Sequence, residues 1–133
     1  MRILLDTDFC SLVLRGDVVA EGRLQQYRVS DVAIASVTWA EAMYGCARSE
    51  RGALLWRMWS ELVVDWPILP FDARCADVYA LIRSDLERKG CVIGDRDMMI
   101  AATAMEHDLA FVTNNLDEFR RIPGLRIEVW RPS

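Results

Sequence analysis

The sequence predicts an α/β domain built on a mainly parallel sheet, and three observations carry that class. Short apolar runs alternate with helical patterns along the whole chain, beginning with Ile3-Leu4-Leu5. No internal repeat, low-complexity tract or linker interrupts the alternation, so the 133 residues read as one domain, 1–133. The first apolar run ends directly on an acid, Asp6, and the carboxyl ends of strands are where open α/β sheets place their ligands.

Ile3 to Leu5 reads as a strand buried on both faces. Asp6 or Asp8 then either caps the next helix, Asp being a favoured N-cap, or turns its carboxylate to the sheet edge for chemistry. Phe9 to Arg15 reads as a short helix ended by Gly16, and Val18 to Arg28 as a second, weakened by Gly22. Val32 to Ala35 is the next apolar strand. Ser36 or Thr38 caps a helix running to about Ala47, and Thr38-Trp39-Ala40-Glu41 has capping-box spacing. Glu41 therefore either returns a hydrogen bond to the helix start or faces the carboxyl edge as a ligand on the first turn; one rotamer cannot do both.

Ser49 to Val64 reads as a helix with Leu55, Trp59 and Leu62 at helical spacing, Trp56 and Trp59 belonging to the core or an interface face. Trp66 to Leu69 is a short strand closed by Pro70. Asp72 caps a long helix that ends at Gly90 and carries Cys75, Tyr79, Ile82 and Leu86 as its apolar stripe. Ile93-Gly94-Asp95-Arg96-Asp97 leads into a helix with Met98, Ala101, Ala102 and Met105 on one face; Asp95 is read as its N-cap, with support of Asp97 as the alternative. Ala110 to Thr113 is a strand ending in Asn114-Asn115, followed by a short helix around Asp117 to Arg121 and an edge strand from Arg126 to Trp130. Right-handed crossovers then bring strand ends and helix starts to one rim.

Composition removes several function classes. Hydrophobic residues make up 53% and charged residues 27%, which excludes a disordered chain. No apolar run is long enough to span a membrane, and the start lacks a basic region followed by an apolar signal segment, so a cytoplasmic location is expected. Cys10, Cys46, Cys75 and Cys91 are scattered without a Cys-x-x-Cys pair, which argues against a zinc ribbon and a disulfide framework. The single histidine, His107, excludes any mechanism needing two and falls where an imidazolium favours a helix C-terminus. Net charge is −4, not the basic balance of a nucleic-acid binder. Cations held by gathered acids would cancel much of that charge locally, leaving arginines to form a patch elsewhere.

Three acids share one kind of address. Asp6 follows a strand, Glu41 lies just after a strand, and Asp97 opens a helix; Asn115 follows a fourth strand and offers another oxygen. Such a set suits Mg²⁺ or Mn²⁺ rather than zinc. Packed carboxylates repel and take up protons unless a cation holds them, so a metal makes sense of the cluster. Hydrolysis of a phosphodiester by metal-activated water is the matching task, and it needs no histidine.

At this point the residues resemble a family. Leu4-Leu5-Asp6-Thr7, Ala40-Glu41-Ala42-Met43-Tyr44-Gly45, Ile93-Gly94 with Asp97-Met98-Met99-Ile100-Ala101-Ala102-Thr103-Ala104, and Val112-Thr113-Asn114-Asn115 with Glu118-Phe119 look like the PIN-domain toxins of the VapC type. The resemblance continues through Ile122-Pro123-Gly124-Leu125 and Glu128-Val129-Trp130, and so covers nearly the whole chain. It implies a PIN-like α/β domain with about five parallel strands flanked by helices. It implies a Mg²⁺-dependent endoribonuclease, held inactive by a cognate VapB antitoxin and usually dimeric. Residue by residue, it assigns Asp6, Glu41 and Asp97 as acidic metal ligands, puts Asn115 where many PIN domains have a fourth Asp, and matches Thr113 and Ser11 to polar positions that orient ligands or substrate. The Asn-Asn pair and the Ile-Gly-x-x-Asp spacing resemble the subgroup that cuts initiator tRNA in the anticodon region. Two departures stand out: Asp8 occupies a position where the family commonly has Asn, and Asn115 lowers the charge of the site, which weighs against tight binding of a second metal.

Two other readings compete. Asp6-Thr7-Asp8 and Gly94-Asp95 resemble the aspartyl-phosphate phosphatases of the haloacid dehalogenase type, with Asp6 as nucleophile and Asp8 as general acid. Against that, the only lysine is Lys89, at a helix end, and the later acids are wrongly spaced. A catalytically silent PIN-like interaction module is left open by Asn115 and opposed by the intact Asp6, Glu41 and Asp97.

Overall fold

The structure is a computed structural model and describes residues 1–131. Its strands are β1 (Ile3–Leu5), β2 (Val32–Ala35), β3 (Ile68–Leu69), β4 (Ala110–Val112) and β5 (Ile127–Glu128). They form one sheet in the order β3-β2-β1-β4-β5, with every neighbouring pair parallel. The helices are α1 (Thr7–Leu14), α2 (Val18–Leu24), α3 (Ser36–Arg48), α4 (Gly52–Leu62), α5 (Ala73–Arg88), α6 (Asp95–Glu106) and α7 (Leu116–Phe119). The expected α/β class with about five parallel strands is what the chain adopts.

Strand alternation divides the core into two layers. Leu4, Ala33, Ala35 and Phe111 face Ile82 and Leu86 of α5, Ala101 of α6 and Phe119 of α7. Ile3, Leu5, Val32, Ile34 and Val112 face Phe9, Cys10, Ala42, Cys46 and Trp59 on the other side. The order of the strands reverses direction between β1 and β4: the chain builds outward through β2 and β3 on one flank, then through β4 and β5 on the other. In open α/β sheets such a switch point opens a crevice beyond the carboxyl ends of the strands. Leu5 pairs with Val112 there, and the Asp6 N–H still donates to the Val112 carbonyl at 3.1 Å.

Several boundaries are tighter than the sequence pattern predicts. The second helix stops at Leu24 instead of reaching Arg28, because Tyr27 leaves it to donate its hydroxyl to Glu128 Oε2 at 2.8 Å, and a 3₁₀ turn at Val29–Asp31 completes the connection. The fourth helix begins at Gly52, not Ser49, since Ser49 Oγ accepts the Arg51 N–H in a turn. The third strand keeps only Ile68 and Leu69, Pro67 having no N–H to give the ladder. Gly90, with φ +68°, ends the connection after α5 in the left-handed region, as its place in the sequence predicts. Among the described residues no helix is long and apolar enough to cross a membrane.

Gly52 is required by space. A Cβ there would fall on the Cys46 carbonyl, backbone that cannot swing aside, at the close approach of α3 and α4. Gly52→Ala is therefore expected to cost about 1–3 kcal/mol. Chemical denaturation checks this, and an unchanged midpoint would contradict the packing described.

Candidate active site

The site starts from Asp6. Its backbone is extended and it serves as N-cap of α1, Oδ1 accepting the Phe9 N–H at 2.7 Å. Its other oxygen, Oδ2, accepts the Thr113 hydroxyl at 2.6 Å across the β1–β4 seam. Thr113 is fully buried and is itself oriented by the Asn115 N–H, which donates to Oγ1 at 3.0 Å. Capping and site formation, which the sequence left as alternatives, are both done by this one carboxylate. It remains 8% exposed, toward a small cleft.

That cleft is lined by Asp6, Thr7, Asp8, Glu41, Asp97 and Asn115 over a floor of Ile100, Phe111 and Phe119. Asp97 reaches it from the first turn of α6. Burial pushes the Asp6 carboxyl up to about 6, with nearby Asp8 and Asp97 adding to the rise against the opposing hydrogen bonds. Asp97 is likewise pushed up to about 6, by burial first and then by Glu118, Glu41 and Asp8, with Arg96 opposing. Two acids held above the usual carboxylate range in one crevice mark a place built for positive charge.

Glu41 departs from the local pattern. The strand β2 runs into α3 without a loop, so the helix begins at Ser36 with Ala35 as its cap, and no side chain caps it. Glu41 thus stands on the second turn, not the first, and the capping box does not form. Instead Thr7 Oγ1 donates to Glu41 Oε1 at 2.7 Å, with the buried Thr38 hydroxyl 3.1 Å from the same oxygen of Thr7. Glu41 Oε2 lies 3.3 Å from Arg96 Nε. The freed Ser36 hydroxyl accepts the Phe71 N–H beside β3.

Other expected residues divide. Asp8 is exposed on the first turn of α1 and lines the cleft. Asn115 lines it too, while donating through Nδ2 to Glu118 Oε2 at 2.6 Å. Asp95 does neither task predicted for it: Gly94 occupies the N-cap without a side-chain bond, and Asp95 turns to α5, accepting from Tyr79 at 3.1 Å and pairing with Arg83 at 3.5 Å. Ser11, one turn beyond Thr7, lies outside the cleft and lines a neighbouring groove with Thr7, Glu41 and Arg48. His107 is the C-cap of α6, the opposite end from Asp97, and Lys89 pairs with Asp85 at 2.8 Å. The structure adds roles at the site for Thr7, Arg96 and Glu118; Thr7 and Glu118 stood in the family-like motifs without a role, and no local signal pointed to Arg96.

The donors are oxygens alone, which fits a hard divalent cation. Among the described residues no three acidic, histidine or cysteine side chains close on a single point. An octahedral ion held by one or two carboxylates and otherwise by water asks for no tighter cage. The cleft space is about 70 Å³, against roughly 300 Å³ for the smallest usual ligand pockets, so it has room for an ion and its waters and not for a whole small-molecule ligand.

This sheet order, with acids gathered at the switch point, is accompanied by a match to the PIN domain model over residues 3–125, and the chain belongs to the PIN-domain family. It is 32% identical over 132 residues to Ribonuclease VapC2 of Rickettsia felis, covering 98% of each protein. It is 33% identical over 130 residues to the tRNA(fMet)-specific endonuclease VapC of Salmonella typhimurium, again covering 98% of each. The toxin chain in the crystal structure of DNA-bound VapBC from Salmonella typhimurium superimposes with a TM-score of 0.92 at 33% identity, over 98% of this chain and 99% of that one. Similarity along the full length places the chain in the VapC branch of the family, and the phosphatase reading falls away.

The raised carboxyls carry a stability consequence. A folded-state pKa above the unfolded one penalises the folded state, and the penalty grows from the unfolded value of 3.8 to the folded value of about 6. Asp6→Asn removes the charge and keeps a favoured cap. In chelator it should melt with the wild type at pH 4 and above it at pH 7. A wild type more stable than the variant at pH 7 would show that Asp6 is not crowded by charge.

Proposed function

We propose that this protein is the toxin of a VapBC-type toxin–antitoxin pair, a divalent-metal-dependent endoribonuclease acting in the cytoplasm. The observation that carries the reading is that Asp6 and Asp97, 91 residues apart in sequence, line one cleft at the switch point, where burial and neighbouring acids hold both carboxyls above the usual range. Similarity to a protein named tRNA(fMet)-specific endonuclease supports tRNA as substrate, with initiator tRNA first among candidates. The neighbours solved as VapBC complexes support a VapB-type antitoxin as partner and a toxin–antitoxin hetero-oligomer, and the homodimer is carried by the family resemblance alone.

In this reading Asp6, Asp97 and Glu41 would hold Mg²⁺ or Mn²⁺, with Asn115 and Asp8 completing the acid-facing wall. Bound there, the ion would supply a water of lowered pKa and positive charge against the scissile phosphate. Thr113 fixes the Asp6 rotamer by its hydrogen bond, and Thr7 does the same for Glu41. Asn115 holds Glu118 beside Asp97, so the negative charge that an Asn removes from this position returns three residues later. Phe111, Ile100 and Phe119 keep the floor dry, which strengthens each charge above them.

Purified chain freed of antitoxin should cut tRNA with Mg²⁺ or Mn²⁺ and stop in excess chelator. Asp97→Asn should lower the rate by roughly 100-fold or more. Thr113→Val, which loosens a ligand without removing it, should weaken metal affinity by about 10–100-fold. At limiting metal, cleavage should climb as pH rises through about 6, because protons and the cation compete for Asp6 and Asp97. Full activity of Asp97→Asn, or cleavage in chelator, would refute the mechanism; a wild type inert toward every RNA tried with metal present would favour a silent binding module.

A further inference from the structure

Beside the acid cleft, α3 and Arg96 of α6 border an open recess of about 410 Å³, lined by Ala40, Glu41, Tyr44, Gly45, Arg48 and Arg96 and continuous through Glu41 with the cleft. Its size falls in the usual range for small-ligand sites, about 300–1,000 Å³. Three features of it bear on what it could hold. Tyr44 leaves its large ring 66% exposed, with the Arg48 guanidinium 5.4 Å from the ring centre. Arg48 stands in the last turn of α3, a place that favours a cation, and its guanidinium borders the recess without being drawn to a carboxylate among the described residues. Gly45 sits inside α3, where glycine weakens a helix, yet a Cβ there would meet nothing within 4 Å. Glycine at this point leaves the floor of the recess without a side chain.

Arg96 joins this recess to the acids. Its Nε faces Glu41, which leaves the two terminal nitrogens for another acceptor. Exposed aromatic and guanidinium groups side by side are the pairing that stacks a nucleobase and grips the adjoining phosphates. We propose that this recess is an RNA subsite: one nucleotide flanking the scissile bond lodges over Gly45, its base stacked on Tyr44, its phosphates held by Arg48 and Arg96. The inference rests on the ribonuclease reading above and specifies how a net-acidic protein holds an anionic strand against carboxylates.

The test uses full-length protein freed of antitoxin and a tRNA anticodon stem-loop as probe. Tyr44→Ala and Arg48→Gln should each raise KM by about 10-fold or more while kcat stays within about twofold. Tyr44→Trp should restore KM, which a merely structural tyrosine would not. Arg48→Gln should also reduce the salt slope of stem-loop affinity by about one. Gly45→Ala should raise the melting temperature while weakening RNA binding, separating the subsite from folding. Unchanged KM in Tyr44→Ala and Arg48→Gln, with cleavage intact, would overturn the subsite and leave the ribonuclease reading standing. Loss of antitoxin affinity with RNA affinity preserved would also overturn it. If the wild type cuts nothing, the ribonuclease reading fails by itself, and anisotropy of the same stem-loop still decides the subsite by whether these variants bind it more weakly.

Discussion

The carboxylate of Asp6 is held from two directions, by the Phe9 amide of its own helix and by the Thr113 hydroxyl of the neighbouring strand end, and the rest of the site is arranged around it. Both bonds favour the charged form, yet burial outweighs them and lifts the carboxyl to about 6. The fold thus fixes the position of this acid firmly while leaving its charge uncompensated. A hydrogen-bonded carboxylate costs little to place; an unpaired one in a half-dry crevice costs stability, and natural sites keep such arrangements where a ligand makes up the difference.

The parallel sheet explains why the acids meet. With β1 and β4 adjacent and the chain leaving them in opposite directions, no crossover helix covers the seam between their ends. Asp6 and Thr113 follow those two strands directly, and α3 and α6 deliver Glu41 and Asp97 from either flank. Small residues help this delivery: Ala33 and Ala35 in β2 and Ala101, Ala102 and Ala104 in α6 are buried and let helix and sheet come close.

Much of this was legible in the sequence because strand-to-acid and helix-start-to-acid addresses are local patterns. Asp6, Glu41 and Asp97 could be singled out that way, and so could the order of strands and helices. What failed did so for tertiary reasons. Thr38 and Glu41 have capping-box spacing, but β2 passes into α3 without a loop, so the box has no helix start to cap. Asp95 and Asp97 are two residues apart, roughly 200° around a helix, so only one can face the cleft. Asp95 is drawn the other way by Tyr79 and Arg83, residues on α5 that no local pattern connects to it. Glu118 is indistinguishable by type from a solvated helix acid until Asn115 and Asp97 are found beside it. Two boundaries escaped exact delimitation: Pro67 inside the predicted third strand gives the ladder no N–H, and the Tyr27–Glu128 bond draws the end of the second helix away.

The two outer strands of the sheet, β3 and β5, are each only two residues long. An incoming extended peptide would find about two rungs on either border, too few to hold it by main-chain bonding alone. Strand-by-strand growth into fibres is thereby discouraged without any charged guard residue being needed. Association of this molecule with copies of itself or with other chains is consequently left to side chains on its helices, where sequence can drift and pairing can become selective.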